Sequence, residues 1–517
     1  MKKLFLQQPW SVSRCTTRIG KKIILFVATV FLTKNLAAQT AGVNYFTSPV
    51  IHTIYLNFPQ AGYWDSLVAN YTTGRYIPCH ATIDGVYYDS IGVKMKGNSS
   101  FNNPSQKKSF KLDFNLYDTL GNLDGEKKLN LNNGFKDPTF IREKLTLDWL
   151  NDNGVYAPRA AYTNVYLNNV LWGLYISVEE CDNTFLDLRF GNSSGNLYKG
   201  DPHGDLRYLG NNAATYQTNY EVHSSGDTVD WSDLIKLTYN INQSSTAAFP
   251  DSLAAVLDET FFLRAWAATI LFSNLDSYQG SGHNYFMYDN PTTNKFEWIE
   301  WDVNESFGCF QNGVAWPGVK TLSALYIPSP AMNRPLENRI LSDANLKTQY
   351  LDQVYHYIST TWDTATIYPL IDSFYTIVKP SVYADPNKFY TNAQFETNIN
   401  NDIQNGGMWT PGLKQFVLMH FNSIYNELLG LGYWPLAVSS AKINAVSVFP
   451  NPVADYLFIH NTENITSVAI TNICGQQIFS ENEINENGFQ IPVADFVNGV
   501  YFLSVNGVSA GRFVVSK

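Results

Sequence analysis

Cysteine is scarce in this chain and never occurs as CxxC. Of its five cysteines, Cys79, Cys181, Cys309 and Cys474 stand far apart, which excludes a zinc ribbon and a disulfide-dense scaffold. One disulfide and a set of buried free thiols both remain open. Basic runs are absent beyond residue 22 and the net charge is -10, so the chain lacks the cations with which a general nucleic-acid binder neutralises phosphates. The eight histidines are scattered, without the cluster that a metal-assisted hydrolase uses. Long apolar stretches are missing too: IILFVATVFL is about half of the ~20 residues that span a bilayer.

That short run has another use. Lys2, Lys3, Arg14, Arg18, Lys21 and Lys22 precede it and Leu36-Ala37-Ala38 follows it, the pattern of an export signal over residues 1–38. The charged part is longer than usual, and an uncleaved anchor is the alternative. The mature chain is expected to carry no transmembrane segment. At 517 residues, two or more domains are expected.

Residues 43 to 116 read as β-rich. HTIYLNF alternates, Asp84-Gly85 is a hairpin turn, and KKSFKLDF sends Phe110, Leu112 and Phe114 one way and Lys111 and Asp113 the other. Asp137 and Pro138 suit a helix N-cap and first position, so DPTFIREKLTLDWL is predicted to be helical up to Asn153-Gly154. Glu143 then shares a face with Leu147 and Leu150. Two strands follow, turning at Asn168-Asn169. DETFFLRAWAATILF is apolar nearly all round, the pattern of a buried helix. It leads directly into Asn274–Gly308, where Asp276, Asn284 and Asp302 surround an aromatic-rich hairpin. Helical patterns dominate from about residue 335. VSSAKINA is a small polar linker, after which short alternating strands predict a small all-β sandwich.

This order of elements, with a lysine-rich strand, a helix bearing a glutamate, a buried helix, and a hairpin between Asp276 and Asp302, is one that protein kinases use. Phosphoryl transfer needs those residue types: cations for the ATP oxygens, a carboxylate for the attacking hydroxyl, and oxygen ligands for Mg²⁺. The structural alternative for the acids and asparagines is ordinary turn formation. For the lysines it is a solvated strand edge.

The blocks GVKMKGNSSFNNPSQKKSFKLDF, DPTFIREKLTLDWL, VYLNNVLWGLYISVEECDNTFL, GNLYKGD, NLDSYQGSGHNYFMYD and FEWIEWDVNESFG resemble successive blocks of the spore coat protein H (CotH) kinase-like family, over roughly residues 50 to 430. The resemblance implies an atypical, bilobal protein-kinase-like fold, with a β-rich N-lobe and a mainly helical C-lobe, over residues 43–435. It implies an enzyme that uses ATP with Mg²⁺ or Mn²⁺ to phosphorylate Ser or Thr of a protein. Asp276 matches the catalytic aspartate, Asn284 and Asp302 the metal ligands. Lys108 or Lys107 is the candidate phosphate-contacting lysine, with Glu143 or Glu180 as its partner; Lys96 beside Gly97 is a further candidate. The glycine-rich fingerprint and the HRD and DFG triplets of ordinary kinases are absent. Asn304 stands where the family commonly has a second aspartate, so it brings a metal-ligating oxygen without a charge. The alternative is a kinase-like surface protein, weakly active or inactive, acting as a binding or structural module.

Beyond a linker at 436–445, residues 446–517 carry Val448-Phe449-Pro450-Asn451-Pro452, Gly499-Val500-Tyr501-Phe502 and Lys517. They are similar to the C-terminal sorting domain of type IX secretion in Bacteroidetes. This implies the type IX machinery as a partner and a secreted or surface-attached product.

Overall fold

The computed structural model describes residues 40–224, 229–330, 333–433, 446–472, 476–506 and 508–517. The expected export signal, the linker at 436–445 and Cys474 lie outside the described residues. The chain divides between Gly432 and Tyr433 into two compact units, the first mixed α+β and the second all-β.

Seven strands open the first unit: β1 (His52–Asn57), β2 (Ile77–Ile83), β3 (Val86–Lys96), β4 (Ser109–Asp113), β5 (Lys128–Asn132), β6 (Ala160–Leu167) and β7 (Val170–Glu179). They close into a barrel in the order β1-β2-β3-β4-β5-β7-β6, completed by the parallel pair β1 and β6. Alternating side chains drive the closure. Ile54 and Leu56 of β1 meet Val93, Phe110, Leu112, Leu129 and Val165 in one buried core, each contributing roughly 1.5–3 kcal/mol by leaving water. The other face of β4 is not simply solvated, because Asp113 is buried and Lys111 pairs with Glu180. Asp84-Gly85 and Asn168-Asn169 make the two tight turns, with φ of 48°, 86°, 47° and 66°, the left-handed values that type I′ hairpins require.

Helix α1 (Arg142–Asp152) begins at Arg142 rather than Pro138. The Asp137 carboxylate accepts from the backbone N–H of Thr139 and Arg142, each at 2.9 Å, and from Arg142 Nη1 at 2.6 Å. It thereby holds residues 137–141 as a turn, with Phe140 at φ 59°. The helix stops just before Gly154 at φ 68°.

Beyond the barrel come β8 (Leu197–Gly200), β9 (Tyr220–Ser224), α2 (Ser232–Gln243), α3 (Glu259–Leu271), β10 (Tyr285–Asn290) and β11 (Lys295–Glu300). The strands form a sheet in the order β11-β10-β8-β9. Asp258 caps α3 by accepting from Phe261 N at 3.2 Å, and the helix is buried on most of its surface. There follow α4 (Pro335–Ser342), α5 (Ala344–Thr360), α6 (Thr364–Ala384), α7 (Asn392–Asn400), the hairpin β12 (Ile403–Asn405) and β13 (Met408–Thr410), and α8 (Leu413–Gly430). Two buried contacts tie this N-terminal part to the later segments: Lys107, just before β4, pairs with Asp385, and Arg142 Nη2 of α1 donates to Asn398 Oδ1 at 2.9 Å and Pro411 O at 2.5 Å. Cys79, Cys181 and Cys309 are free thiols. No helix among the described residues is long and apolar enough to cross a membrane.

In the second unit, β14 (Ser447–Phe449), β15 (Tyr456–Asn472), β16 (Gln477–Pro492), β17 (Gly499–Val505) and β18 (Val508–Val515) form one five-stranded sheet, where two facing sheets were expected. YLFIHN and SVAITNI, expected as separate strands, run together as β15, because bulges between His460 and Ser467 preserve its pairing with β16. Leu457, Ile459, Val468, Ile470, Leu503 and Phe513 are its core.

Candidate functional site

Strand β3 delivers Lys96 to the barrel's polar end. Its Nζ donates to Asn130 Oδ1 at 3.0 Å and Asn132 Oδ1 at 3.1 Å, both on β5. These carboxamides pass the contact on, since Asn130 Nδ2 donates to Glu180 Oε2 at 2.7 Å and Asn132 Nδ2 to Glu143 Oε1 at 2.6 Å. Both glutamates are thus tied to one lysine without a direct ion pair. The direct partner of Glu180 is Lys111, at 2.6 Å, a residue the sequence did not mark as functional. Burial disfavours the Glu180 carboxylate, but Lys111 and Lys96 outweigh it and bring its pKa down to about 2. Burial and the charge of Asp302 push Glu143 up to about 8. Burial lowers the pKa of Lys96, against the pull of Asp302.

Lys107 and Lys108 do not join this group. Lys107 is fully buried against Asp385, whose carboxylate also accepts from Leu174 N at 3.0 Å; burial lowers its pKa to about 8 despite that partner. Lys108 Nζ donates to the backbone carbonyls of Phe101, at 2.6 Å, and Asn103.

Asp276 lies in the turn that follows α3. A side chain at Gly280 would sit 1.8 Å from Leu275 O, so glycine is what lets the chain double back there. Asp276 Oδ1 pairs with His283 Nε2 at 2.9 Å and accepts from Ser281 Oγ at 3.1 Å. Asn284 Nδ2 donates to Asp276 Oδ2 at 3.1 Å and to its backbone O at 2.9 Å, leaving Oδ1 as the Asn284 atom that Asp276 does not engage. His283, which reads in sequence as loop structure, fixes the orientation of Asp276. Burial opposes its protonation, yet the hydrogen bond and charge of Asp276 prevail and hold its pKa above the ordinary value.

Asp302 follows β11 in the left-handed region at φ 55°. Its carboxylate is partly buried and accepts no hydrogen bond among the described residues; burial raises its pKa, Lys96 opposes that rise and Asp276 adds to it. Asn304 Nδ2 donates to Phe135 O at 3.2 Å. Glu305 pairs with Lys136 through both oxygens, at 2.8 and 3.0 Å, and burial with the Asp276 charge pushes it up to about 7. Cys309 Sγ donates to Lys136 O at 3.2 Å. Two faint signs of the Lys136–Glu305 pair stand in the sequence: a lysine between Gly134 and Asp137, and an acid shortly after Asp302.

No three His, Cys, Asp or Glu side chains converge as a ligand cluster among the described residues. The three residues that the sequence marks as ligands, Asp302, Asn284 and Asn304, would offer a divalent ion one carboxylate and two carboxamide oxygens. That hard-oxygen set fits Mg²⁺, which usually keeps several waters and binds through one or two carboxylates plus substrate phosphates.

A mixed α+β chain with a lysine tied to two glutamates, followed in order by two loop aspartates around a hairpin, is kinase-like in class. Residues 93–405, more than half of the chain, match the family described as CotH kinase protein, and the chain belongs to that family. Residues 447–516 match the secretion system C-terminal sorting domain, which marks the chain for export to the surface or the medium. Inner spore coat protein H of Bacillus subtilis strain 168 is 26% identical over 286 residues, 55% of this chain and 75% of that protein. Invasin CotH3 of Rhizopus delemar is 23% identical over 279 residues, 52% of this chain and 46% of the invasin. The crystal structure of the Helicobacter pylori proinflammatory kinase CtkA aligns with a TM-score of 0.25 and 10% identity, over 63% of this chain and 95% of that one.

Proposed function

We propose that this chain is an exported atypical protein kinase that moves the γ-phosphoryl group of ATP to a Ser or Thr hydroxyl of a protein, with Mg²⁺ or Mn²⁺. Asp302 carries the reading. Its carboxylate accepts no hydrogen bond among the described residues, and it is desolvated, with Lys96 and Asp276 both acting on it, the environment of a cation ligand rather than of a turn residue. Asp302, Asn284 and Asn304 would hold the ion, which would supply charge neutralisation to the triphosphate.

Each remaining group has work that its contacts support. Lys96, desolvated among Asn130 and Asn132, acts on phosphate oxygens more strongly than a hydrated lysine does. Glu180 stays ionised and Glu143 gains a proton readily, so the pocket keeps a cation without becoming too acidic for a polyanion. Asp276, held by His283 and Asn284, orients the acceptor hydroxyl. On this reading the barrel serves as the N-lobe and the helical part as the C-lobe of a domain over 43–435. Residues 446–517 serve as the type IX sorting domain.

The test is calorimetric titration of ATP with Mg²⁺ or Mn²⁺ into the wild type and Asp302→Ala, with labelled-phosphate transfer in parallel. Metal-dependent binding is expected in the wild type and lost in Asp302→Ala; transfer is expected to be lost in Asp276→Ala with binding kept. A wild type that binds nucleotide with neither metal sinks the reading.

A further inference from the structure

Lys136 has no task in the arrangement above, yet its position is tightly determined. It stands at φ 64° on the loop between β5 and α1. Asn304 Nδ2 holds Phe135 O and Cys309 Sγ holds Lys136 O, each at 3.2 Å. Asn133 Nδ2 holds Lys107 O at 2.6 Å, and Arg142 Nη1 holds Asp137 at 2.6 Å. The loop is thereby bound both to the barrel and to the segment that follows Asp302.

The side chain of Lys136 is 21% exposed, whereas that of its partner Glu305 is 5% exposed. Asp276 acts electrostatically on both members of the pair, and Asp302 on Glu305 as well. The ammonium group of Lys136 is thus bound to Glu305 and feels the charge of Asp276. An incoming triphosphate meets the negative charge of Asp276, and a cation at that end of the site offsets it. Two other lysines act on Asp302: Lys96, held by Asn130 and Asn132 on β5 and assigned above to phosphate oxygens, and Lys199, which pairs with Asp201. An ammonium group has three N–H donors; the two oxygens of Glu305 occupy two of those of Lys136.

We propose that the third donor of Lys136 binds an oxygen of the γ-phosphoryl group, with Glu305 as the positioning residue that keeps the ammonium directed at the Asp276 end of the site. The proposal rests on the kinase reading above. Lys136 forms and breaks no covalent bond. Phosphorus exchanges the β–γ bridging oxygen for the acceptor oxygen, the acceptor proton departs toward Asp276, and Lys136 balances charge on the oxygens in between.

The decisive comparison is between triphosphate and diphosphate. The Mg²⁺ complexes of ATP, its β,γ-imido analogue and ADP are titrated into the full-length chain and its variants. Lys136→Met is expected to weaken both triphosphates by about tenfold, the order of one charge-assisted hydrogen bond, with ADP affinity unchanged. Lys136→Arg is expected to keep most triphosphate affinity. Because Lys136→Met leaves Glu305 buried without its partner, the Lys136→Met/Glu305→Gln double variant is measured beside it and is expected to show the same triphosphate-specific loss. Equal losses for ATP and ADP, or an unchanged ATP-to-ADP ratio in the double variant, overturn the role of Lys136 while leaving the kinase reading intact. A wild type that binds no nucleotide overturns both.

Discussion

Lys96, Lys107 and Lys108 are alike in sequence, each a lysine beside the end of a barrel strand, and tertiary structure separates them completely. Lys96 reaches the carboxamides of β5; Lys107 spends its charge on Asp385 and Lys108 on two carbonyls. Their substitutions should fail in different ways. Lys96→Met is expected to weaken Mg²⁺-ATP binding about tenfold or more with little change in stability. Lys107→Met is expected to cost about 3–5 kcal/mol of stability, since it leaves a buried carboxylate unpaired. Lys108→Met should change nucleotide affinity little. Calorimetric binding and denaturant unfolding on all three variants check this, and a loss of affinity with Lys108→Met alone would return the assignment to the strand edge. The sequence could not choose among the three because strand alternation fixes a face, not which polar neighbour waits on it. Lys136 and Glu305 were hidden for the same reason: their contact spans 169 positions of the chain.

At the level of elements, local chemistry was readable wherever the backbone itself imposed it. Asp84-Gly85 and Asn168-Asn169 form the expected turns because few other residues tolerate two successive positive φ values. Helix α1 started late because Arg142, five residues on, takes up the carboxylate that would have capped it, one local contact displacing another. The turn carrying Asp276 depends in the same direct way on Gly280. An alanine there must displace Leu275 O, at a cost of roughly 1–3 kcal/mol, and the displacement falls on the backbone next to Asp276. Gly280→Ala is therefore expected to lower phosphate transfer far more than it lowers the melting temperature. A variant with full transfer would mean that the turn relaxes without moving Asp276.

Across the whole molecule, buried acids set the response to pH. Burial, with neighbouring carboxylates in most cases, raises Glu126, Glu143 and Glu337 to about 8, Glu300 and Glu305 to about 7, and Asp289 to about 6. Each keeps a proton in the folded chain that the unfolded chain has already released. Their contribution is complete below the ordinary carboxylate range and is lost as pH rises through those values. Glu180 at about 2 and buried His420 at about 4 act in the opposite sense, and only on the acid side. Thermal unfolding across pH should therefore show a stability that declines from pH ~5 toward pH ~8, a decline made shallower by Glu337→Gln. A melting temperature that climbs from pH 6 to 8 would contradict this. The succession of strands, helix, buried helix and hairpin was legible from periodicity and turn residues. Closure of the barrel was not, because the parallel pairing of β1 with β6 leaves no local trace.

Cys309 gives the molecule a clock. Its thiol is pushed up to about 12 by burial and donates to the backbone oxygen of Lys136, so in the closed arrangement it is a poor nucleophile at neutral pH. Lifting of the loop between β5 and α1 would free this partly exposed thiol from its acceptor. The rate at which a small thiol reagent marks Cys309 is therefore expected to report on that loop, and a ligand that holds Lys136 is expected to slow the clock.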